Sequence, residues 1–489
     1  MPNPGHKGPP ADVVDHLIDI HQANATLDKL LQSGIGDIIR AQLQPQAAAY
    51  ISGQTVNGWQ PWMWDGGTAV TLLPGMDPQL ELSGSGSFGG FTEFNGVLYF
   101  TATDGNGYEL RSFDGASVSL VQDLNPGSAS SEAGRFGGFA EFNGKLYFAA
   151  NDGSHGLELH SFDGTSISMV ANINPGSLSS EVGAHGGFVE FDGALYFTAT
   201  DRLNGFELRR FDGTTVTLVE NLNPGSASSN PGQHGGFVEF DGALYFSASD
   251  GVDGVELHMF DGTSITQVAD LNSGSKSSLP GRHGGFIEFN GALYFTASDG
   301  ITGNELRSFD GTTISLVEDI YSGPASSSAG LYGFIEFDGA LYFTAFDPAN
   351  GFALRKFDGL GVSLVDDAGL GLSHAGLIGG FIVFDGDLYF NAHDSLHGYE
   401  LRRLDGETGV IDTFDFLPGA GSSNAQALGI VNGSLAIGAW IDDGTSARYA
   451  MMASSGSPAG IDDFQLVNDG SGPYEPGTQF YVSDAELLS

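Results

Sequence analysis

Between residues 188 and 201 the chain reads FVEFDGALYFTATD, two apolar-rich runs on either side of Asp192-Gly193. Nearly the same residues return as FVEFDGALYFSASD at 237–250 and as FIEFNGALYFTASD at 286–299. Asn-Gly or Asp-Gly between such runs predicts a two-residue hairpin, because both central residues of a type I′ turn need positive φ. Aligning the opening phenylalanines gives Phe91, Phe139, Phe188, Phe237, Phe286, Phe334 and Phe381, at spacings of 48, 49, 49, 49, 48 and 47. Each copy predicts four strands. GGFVEF and ALYFTAT come first, then a D-x-x-x-G turn, FELRRF, a second Asp-Gly (Asp212-Gly213) and TVTLV. A connector such as NLNPGSASS leads into the next copy.

Four antiparallel strands in roughly 48 residues is the arithmetic of a β-propeller blade; a solenoid β-helix has a much shorter period. The fold class expected is therefore all-β: a propeller of eight four-stranded blades, seven being the alternative, behind a short α-helical N-terminal segment. The eighth blade is shared between the ends. AAYISG, WQPWMW and AVTLL match strands two to four, and LGIVNGSLAIGAW matches strands one and two. Residues near 50–73 and 428–440 are thus expected in one blade, which leaves ARYAMMAS and IDDFQLV without a place. In residues 1–48, Val13, Val14, Leu17, Ile18, Leu27, Leu30, Leu31, Ile35, Ile38 and Ile39 recur at helical spacing. That segment is read as a cover for one propeller face or a surface for self-association. The propeller proper is assigned to 49–455, and 456–489 to a C-terminal strand and tail.

The segments GYELRSFDGA, GLELHSFDGT, GFELRRFDGT, GVELHMFDGT, GNELRSFDGT and GYELRRLDGE, with the D-(I/L)-N-P-G-S-x-S-S and N-G-x-L-Y-F-x-A-x-D motifs, resemble the ELWxxDGT repeat of large bacterial exported and surface proteins. The resemblance covers roughly residues 49–455. It departs at the family's Trp, which is Arg or His here, and at the residue before Asp-Gly, which is often Phe. It implies a propeller-like exported scaffold and transfers no catalytic residue.

Composition narrows the classes. Seventeen Lys+Arg against 60 Asp+Glu give a net charge of −43, a surface that repels nucleic acid and anionic membranes and attracts divalent cations or basic partners. With no cysteine, disulfides, thiolate metal sites and Cys nucleophiles are excluded. No run of about 18 apolar residues predicts a membrane-spanning helix, and the start has no signal-peptide pattern. Two localisations stay open: extracellular or cell-surface, reached through a C-terminal export signal in FYVSDAELLS, or cytoplasmic.

Three repeated positions are candidate sites. Five of the 12 arginines occupy the slot after Glu-Leu or Ala-Leu: Arg111, Arg209, Arg307, Arg355 and Arg402, with His160 and His258 in two further copies. By strand alternation each shares a face with Glu109, Glu158, Glu207, Glu256, Glu305 or Glu400, Ala353 being the exception. An arginine ring could hold a carboxylate ligand; the plainer reading is a Glu–Arg ladder between neighbouring blades. The D-x-x-x-G turns supply Asp104, Asp152, Asp201, Asp250, Asp299, Asp347 and Asp394. One Ca²⁺ per blade would suit them, yet an Asp capping its own turn amides needs no ion, and the dense D-x-D-x-D-G loop is missing. His185, His234 and His283 each precede Gly-Gly-Phe and could hold Zn²⁺, but Phe136 and Tyr332 fill the same slot elsewhere, as aromatic packing would.

G-x-S-x-G, H-E-x-x-H and a P-loop are all absent. The function expected is a non-enzymatic exported scaffold that binds a glycan or protein partner through blade-rim loops. The alternatives are a polysaccharide hydrolase or lyase on a propeller, and a self-assembling surface subunit.

Overall fold

A computed structural model describes residues 49–55, 58–64, 70–73, 85–86, 88–104, 107–365, 369, 371–442, 447–467 and 479–481. The helical segment expected in residues 1–48 lies outside them. Among the described residues all regular structure is β-strand except a 3-10 turn at Ile461–Asp463. Eight four-stranded antiparallel sheets each come from one contiguous stretch, and together they build a propeller. They span 91–120, 139–171, 188–218, 237–269, 286–316, 334–364, 381–414 and 426–466, and are blades 2 to 9 here. Blade 1 is composite: Val70–Leu72, Gly58–Trp64 and Ala49–Thr55 are joined by Gln479–Tyr481 from the far end of the chain.

That composite sheet corrects the expected closure. Residues 50–73 and 428–440 do not share a blade. Gln426–Val431 and Ser434–Asp442 are completed by Ala447–Ser455 and Gln465–Leu466, the two segments the sequence reading could not place. The latch across both chain ends survives with a different strand: Ser52 pairs with Tyr481, Gly53 with Phe480 and Gln54 with Gln479. Gln479–Tyr481 also lies against Ala447–Ser455 of blade 9, where the ring closes. The propeller therefore extends past the boundary drawn at 455.

Turn chemistry explains the strand boundaries. Asp192 and Gly193 have φ of 46° and 68°, and Asn95-Gly96, Asn143-Gly144, Asp241-Gly242 and Asn432-Gly433 repeat this signature, so the first hairpin is the type I′ turn expected. The second Asp-Gly is a different turn. Gly213 alone has positive φ (89°), while Asp212 Oδ1 accepts the N–H groups of Thr214 and Thr215 at 2.9 and 2.8 Å, an Asx cap.

Each inner blade hides its second strand on both faces; in Ala194–Asp201 the first six residues are buried. One apolar cluster bridges every consecutive pair of blades from 1–2 to 8–9. An aromatic triad recurs at these seams. Phe191 and Tyr196 of blade 4 meet Phe260 of blade 5 with ring centroids 6.2 and 5.4 Å away, and Phe142, Tyr147 and Phe211 repeat it one seam earlier. The Phe before Asp-Gly is thus the residue that reaches back to the preceding blade; each such ring pair adds roughly 0.5–1.5 kcal/mol beyond area burial.

Candidate functional site

In each blade the fourth strand runs back toward the end that carries the second-to-third-strand turn. The D-x-x-x-G turns and the inter-blade connectors therefore share one rim. Blade 4 shows its construction. Asp201 sits opposite Gly205 and Arg209 opposite Phe197, so strand alternation puts both side chains on one face. Asp201 Oδ1 accepts the N–H groups of Leu203 and Asn204 at 2.7 and 2.8 Å, and its Oδ2 accepts from the Arg209 guanidinium. The same pair recurs as Arg111–Asp104 (2.7 Å), Arg307–Asp299 (3.0 Å), Arg355–Asp347 and Arg402–Asp394 (2.6 Å).

The two candidate sets are therefore each other's partners. This corrects the inter-blade Glu–Arg ladder: the arginine binds the turn aspartate of its own blade, and the glutamate binds something else. Glu207, fully buried, accepts the N–H groups of Leu222 and Ser229 at 3.2 and 3.1 Å and the Ser229 hydroxyl. It clamps the connector that leaves the blade. Glu109, Glu158, Glu256, Glu305 and Glu400 take equivalent connector amides.

The same environments separate the carboxylates electrically. Burial pushes Asp201 up, but Asn204, Arg209 and the turn amides outweigh it and hold the group at about 2. Asp299 is held at about 2 in the same way by its turn amides, the Thr302 hydroxyl and Arg307. Burial dominates at the glutamates: Glu158 and Glu207 rise to about 7 and Glu400 to about 8, despite their serine and amide donors. With one Asp oxygen on turn amides and the other on a guanidinium, the Arg-bearing turns have their carboxylates already engaged, a poor donor set for Ca²⁺. Where His replaces Arg, Asp152 takes His155 instead (2.7 Å), and Asp250 caps the amides of Val252 and Asp253. His160 and His258 are buried, each with Nδ1 against the glutamate carbonyl two residues earlier (3.0 and 3.1 Å).

Replacing Arg209 by Ala is expected to lower stability by about 3 kcal/mol, because Asp201 would lose its countercharge in a partly buried site; Glu207 keeps all its partners. Denaturant midpoints of R209A, D201N and the double variant would measure the coupling. Wild-type stability in R209A would return the arginine to a ligand-binding role.

His185, His234 and His283 are half-buried, and their backbones are pinned. The His185 N–H donates to Thr198 Oγ1 at 3.1 Å and its carbonyl accepts from the same hydroxyl at 2.7 Å. Ser247 and Thr296 do the same for His234 and His283. The His185 ring packs edge-on against Phe206 at 4.9 Å, as Phe88 does against Tyr108 (5.1 Å) and Tyr332 near Phe352 (6.2 Å). The slot is an aromatic packing position, and among the described residues no three metal-ligating side chains converge.

The sequence reading missed two features. The first is a row of aliphatic tips on the turn rim, two residues after the turn aspartate: Leu203, Val252, Ile301 and Leu396, with 75, 67, 73 and 64% of their surface exposed. The signal was available as an apolar residue at a fixed offset from Asp in four blades. The second is a singular polar latch between blades 8 and 9. Arg403 meets Asp412, Asp387 (3.6 Å) and the Pro458 carbonyl (2.9 Å), while the Ser457 hydroxyl bonds to Asp387 and Tyr389 (3.0 Å). Asp387 stands where blades 4 to 7 carry Ala, and it is Ser457 and the Pro458 carbonyl that carry the latch across the seam.

No family model matches the chain, and no curated protein does. Among solved structures, one from a study of two prolyl endopeptidases is similar at 12% identity and a TM-score of 0.37, covering 75% of this chain and 54% of that one; this chain thus spans about half its length. A puromycin hydrolase matches at 14% identity and 0.33, over 76% of this chain and 59% of that one. The GH74 xyloglucanase of Xanthomonas campestris matches at 13% and 0.35, over 90 and 74%. At such scores the likeness bears on no activity. The propeller rests on this chain's own sheet order, and the rim on its own residues.

Proposed function

We propose that this chain is a non-enzymatic binding scaffold that holds a glycan or protein partner along the turn rim. The observation that carries the reading is the row Leu203, Val252, Ile301 and Leu396, solvent-exposed aliphatic side chains at one equivalent position. Exposed apolar residues scattered singly need no explanation; a row at equivalent positions on one rim marks a contact surface. Three of these turns are pinned, or drawn in, by an Asp–Arg pair, so the tips stand on a rigid support and a partner need not order them on binding. Variation among blades collects in these turns while the inner strands recur almost verbatim, which suits adjustable contacts on a fixed frame. The resemblance to exported repeat proteins favours an extracellular or cell-surface setting.

The triple variant L203S/V252S/I301S removes apolar surface that is already in water, so melting should stay at the wild-type temperature. Binding to partners found on glycan and protein arrays should fall at least tenfold. Turnover of the glycan hits, followed by reducing-end release, separates scaffold from hydrolase: robust hydrolysis lost in a single carboxylate variant such as D387N would replace this reading with the enzymatic one.

A further inference from the structure

We infer that the aromatic tract crossing the rim of blade 7, from the connector before it to blade 8, is a stacking subsite for a neutral glycan, an inference that rests on the rim-binding reading and narrows its ligand. Seven rings run in contact along this stretch of the turn rim. Tyr321 lies 5.4 Å from Phe346, Phe346 lies 5.1 Å from Phe352, and Phe352 lies 5.3 Å from His374. Tyr332 joins Phe352 and His374 at 6.2 and 6.4 Å, and His374 leads on to Tyr399 (6.4 Å) and His393 (4.8 Å from Tyr399). Each ring is partly exposed.

The tract is singular in a molecule that otherwise copies itself. Phe346 stands where other blades carry Thr200, Ser249 or Ser298. Tyr321 replaces Asn125, Asn174, Asn223 and Asn272, each of which donates its side-chain N–H to a connector carbonyl. His374 keeps the left-handed backbone (φ 57°) of a position that elsewhere holds Glu132, Glu181, Asn230, Leu279 or Ser328, and Ala353 replaces the connector-clamping glutamate. The connector asparagine and the clamping glutamate, kept in the blades named above, are both given up around blade 7, and rings stand beside them.

The chemistry of the tract selects the ligand class. Aromatic faces carry negative electron density and meet the C–H face of a pyranose, while the tyrosine hydroxyls and imidazole nitrogens at the ring edges can bond its hydroxyls. The neighbouring charges cancel: Asp347 is paired with Arg355, and Asp394 with Arg402 and His397. Within a chain of net charge −43, polyanions such as nucleic acids or polyuronates are repelled. An ammonium ligand is held by rings standing apart around it, whereas these pack against one another, tilted or edge to face.

The test is calorimetric titration of the full chain with neutral cello-, xylo-, manno- and laminari-oligosaccharides, with choline and polygalacturonate as parallel arms. The variant Y321N/F346T restores what other blades carry, and Y399F keeps the ring but removes a hydroxyl. At least one neutral oligosaccharide should bind, at least tenfold more weakly in Y321N/F346T, with Y399F intermediate and both variants still folded at the titration temperature by their melting curves. Binding of choline or polygalacturonate in place of neutral sugars overturns the inference. So does indifference of sugar binding to Y321N/F346T, or no sugar binding at all. If L203S/V252S/I301S loses a partner that Y321N/F346T retains, the rim reading stands and the stacking subsite does not.

Discussion

Replacing Glu207 by Ala is expected to destabilise the protein by about 2–4 kcal/mol. Its carboxylate accepts two backbone N–H groups and the Ser229 hydroxyl in a site closed to solvent. Truncation strands the Leu222 N–H, at roughly 1–3 kcal/mol, and leaves the Ser229 N–H and hydroxyl only the Phe206 carbonyl, at 3.1 and 3.3 Å. Glu207→Gln keeps one acceptor oxygen and turns an amide group toward the remaining donors, so its loss should be about half as large. Because the glutamate ties the connector to its own blade, amide exchange should speed up over 221–230 before the inner strands respond. Equal stability of the Ala variant and the wild type would mean that the connector holds without its clamp.

A melting temperature that falls as pH rises from about 5 to about 8.5 is the second expected result. A glutamate raised in the folded state binds more protons there than in the unfolded chain, between its unfolded value near 4.5 and its folded value. Its contribution is complete below about 4.5 and is lost as pH climbs through about 7 for Glu158 and Glu207 and about 8 for Glu400. The shifts at Glu158 and Glu207 are each worth about 3 kcal/mol, and that at Glu400 more. The turn aspartates set the acid limit by the opposite sign. Asp201 and Asp299, held at about 2, contribute stability present above about pH 4 and lost as pH falls through about 2. Maximal stability should therefore lie near pH 5. Self-repulsion of the acidic surface has the same sign, so the series is run in 0.5 M NaCl, which screens exposed charges but not buried ones. A melting temperature that is flat or rising over this interval in salt, or a slope unchanged in Glu207→Gln, would contradict the account.

Particular residues show how far the sequence carries. The blade was legible because its turn chemistry is local: Asp192-Gly193 needs only its own two backbones to declare a type I′ hairpin, and the period of about 48 follows from repetition. The second Asp-Gly reads the same in letters yet folds as an Asx cap, since whether Asp212 reaches its own amides depends on how the flanking strands leave the turn. The residue types of the candidate sites were legible too. Their pairing was not. Glu207 and Arg209 share a face, as alternation requires, but alternation is silent on which neighbour each one meets.

The sequence by itself determined an all-β propeller of four-stranded blades, an acidic surface, and the positions where charged side chains recur, because short-range turn preferences and a strict repeat suffice for these. Only the tertiary structure decided how the ring closes, since Gln479–Tyr481 is too short to announce itself and gains its place by pairing with Ala49–Thr55. It alone paired Arg209 with Asp201 and gave Glu207 to the connector. It alone gathered Tyr321, Phe346, Phe352, His374 and Tyr399 into one tract, because the rings come from two blades and the connectors leading into them, brought together by packing between segments distant in the chain.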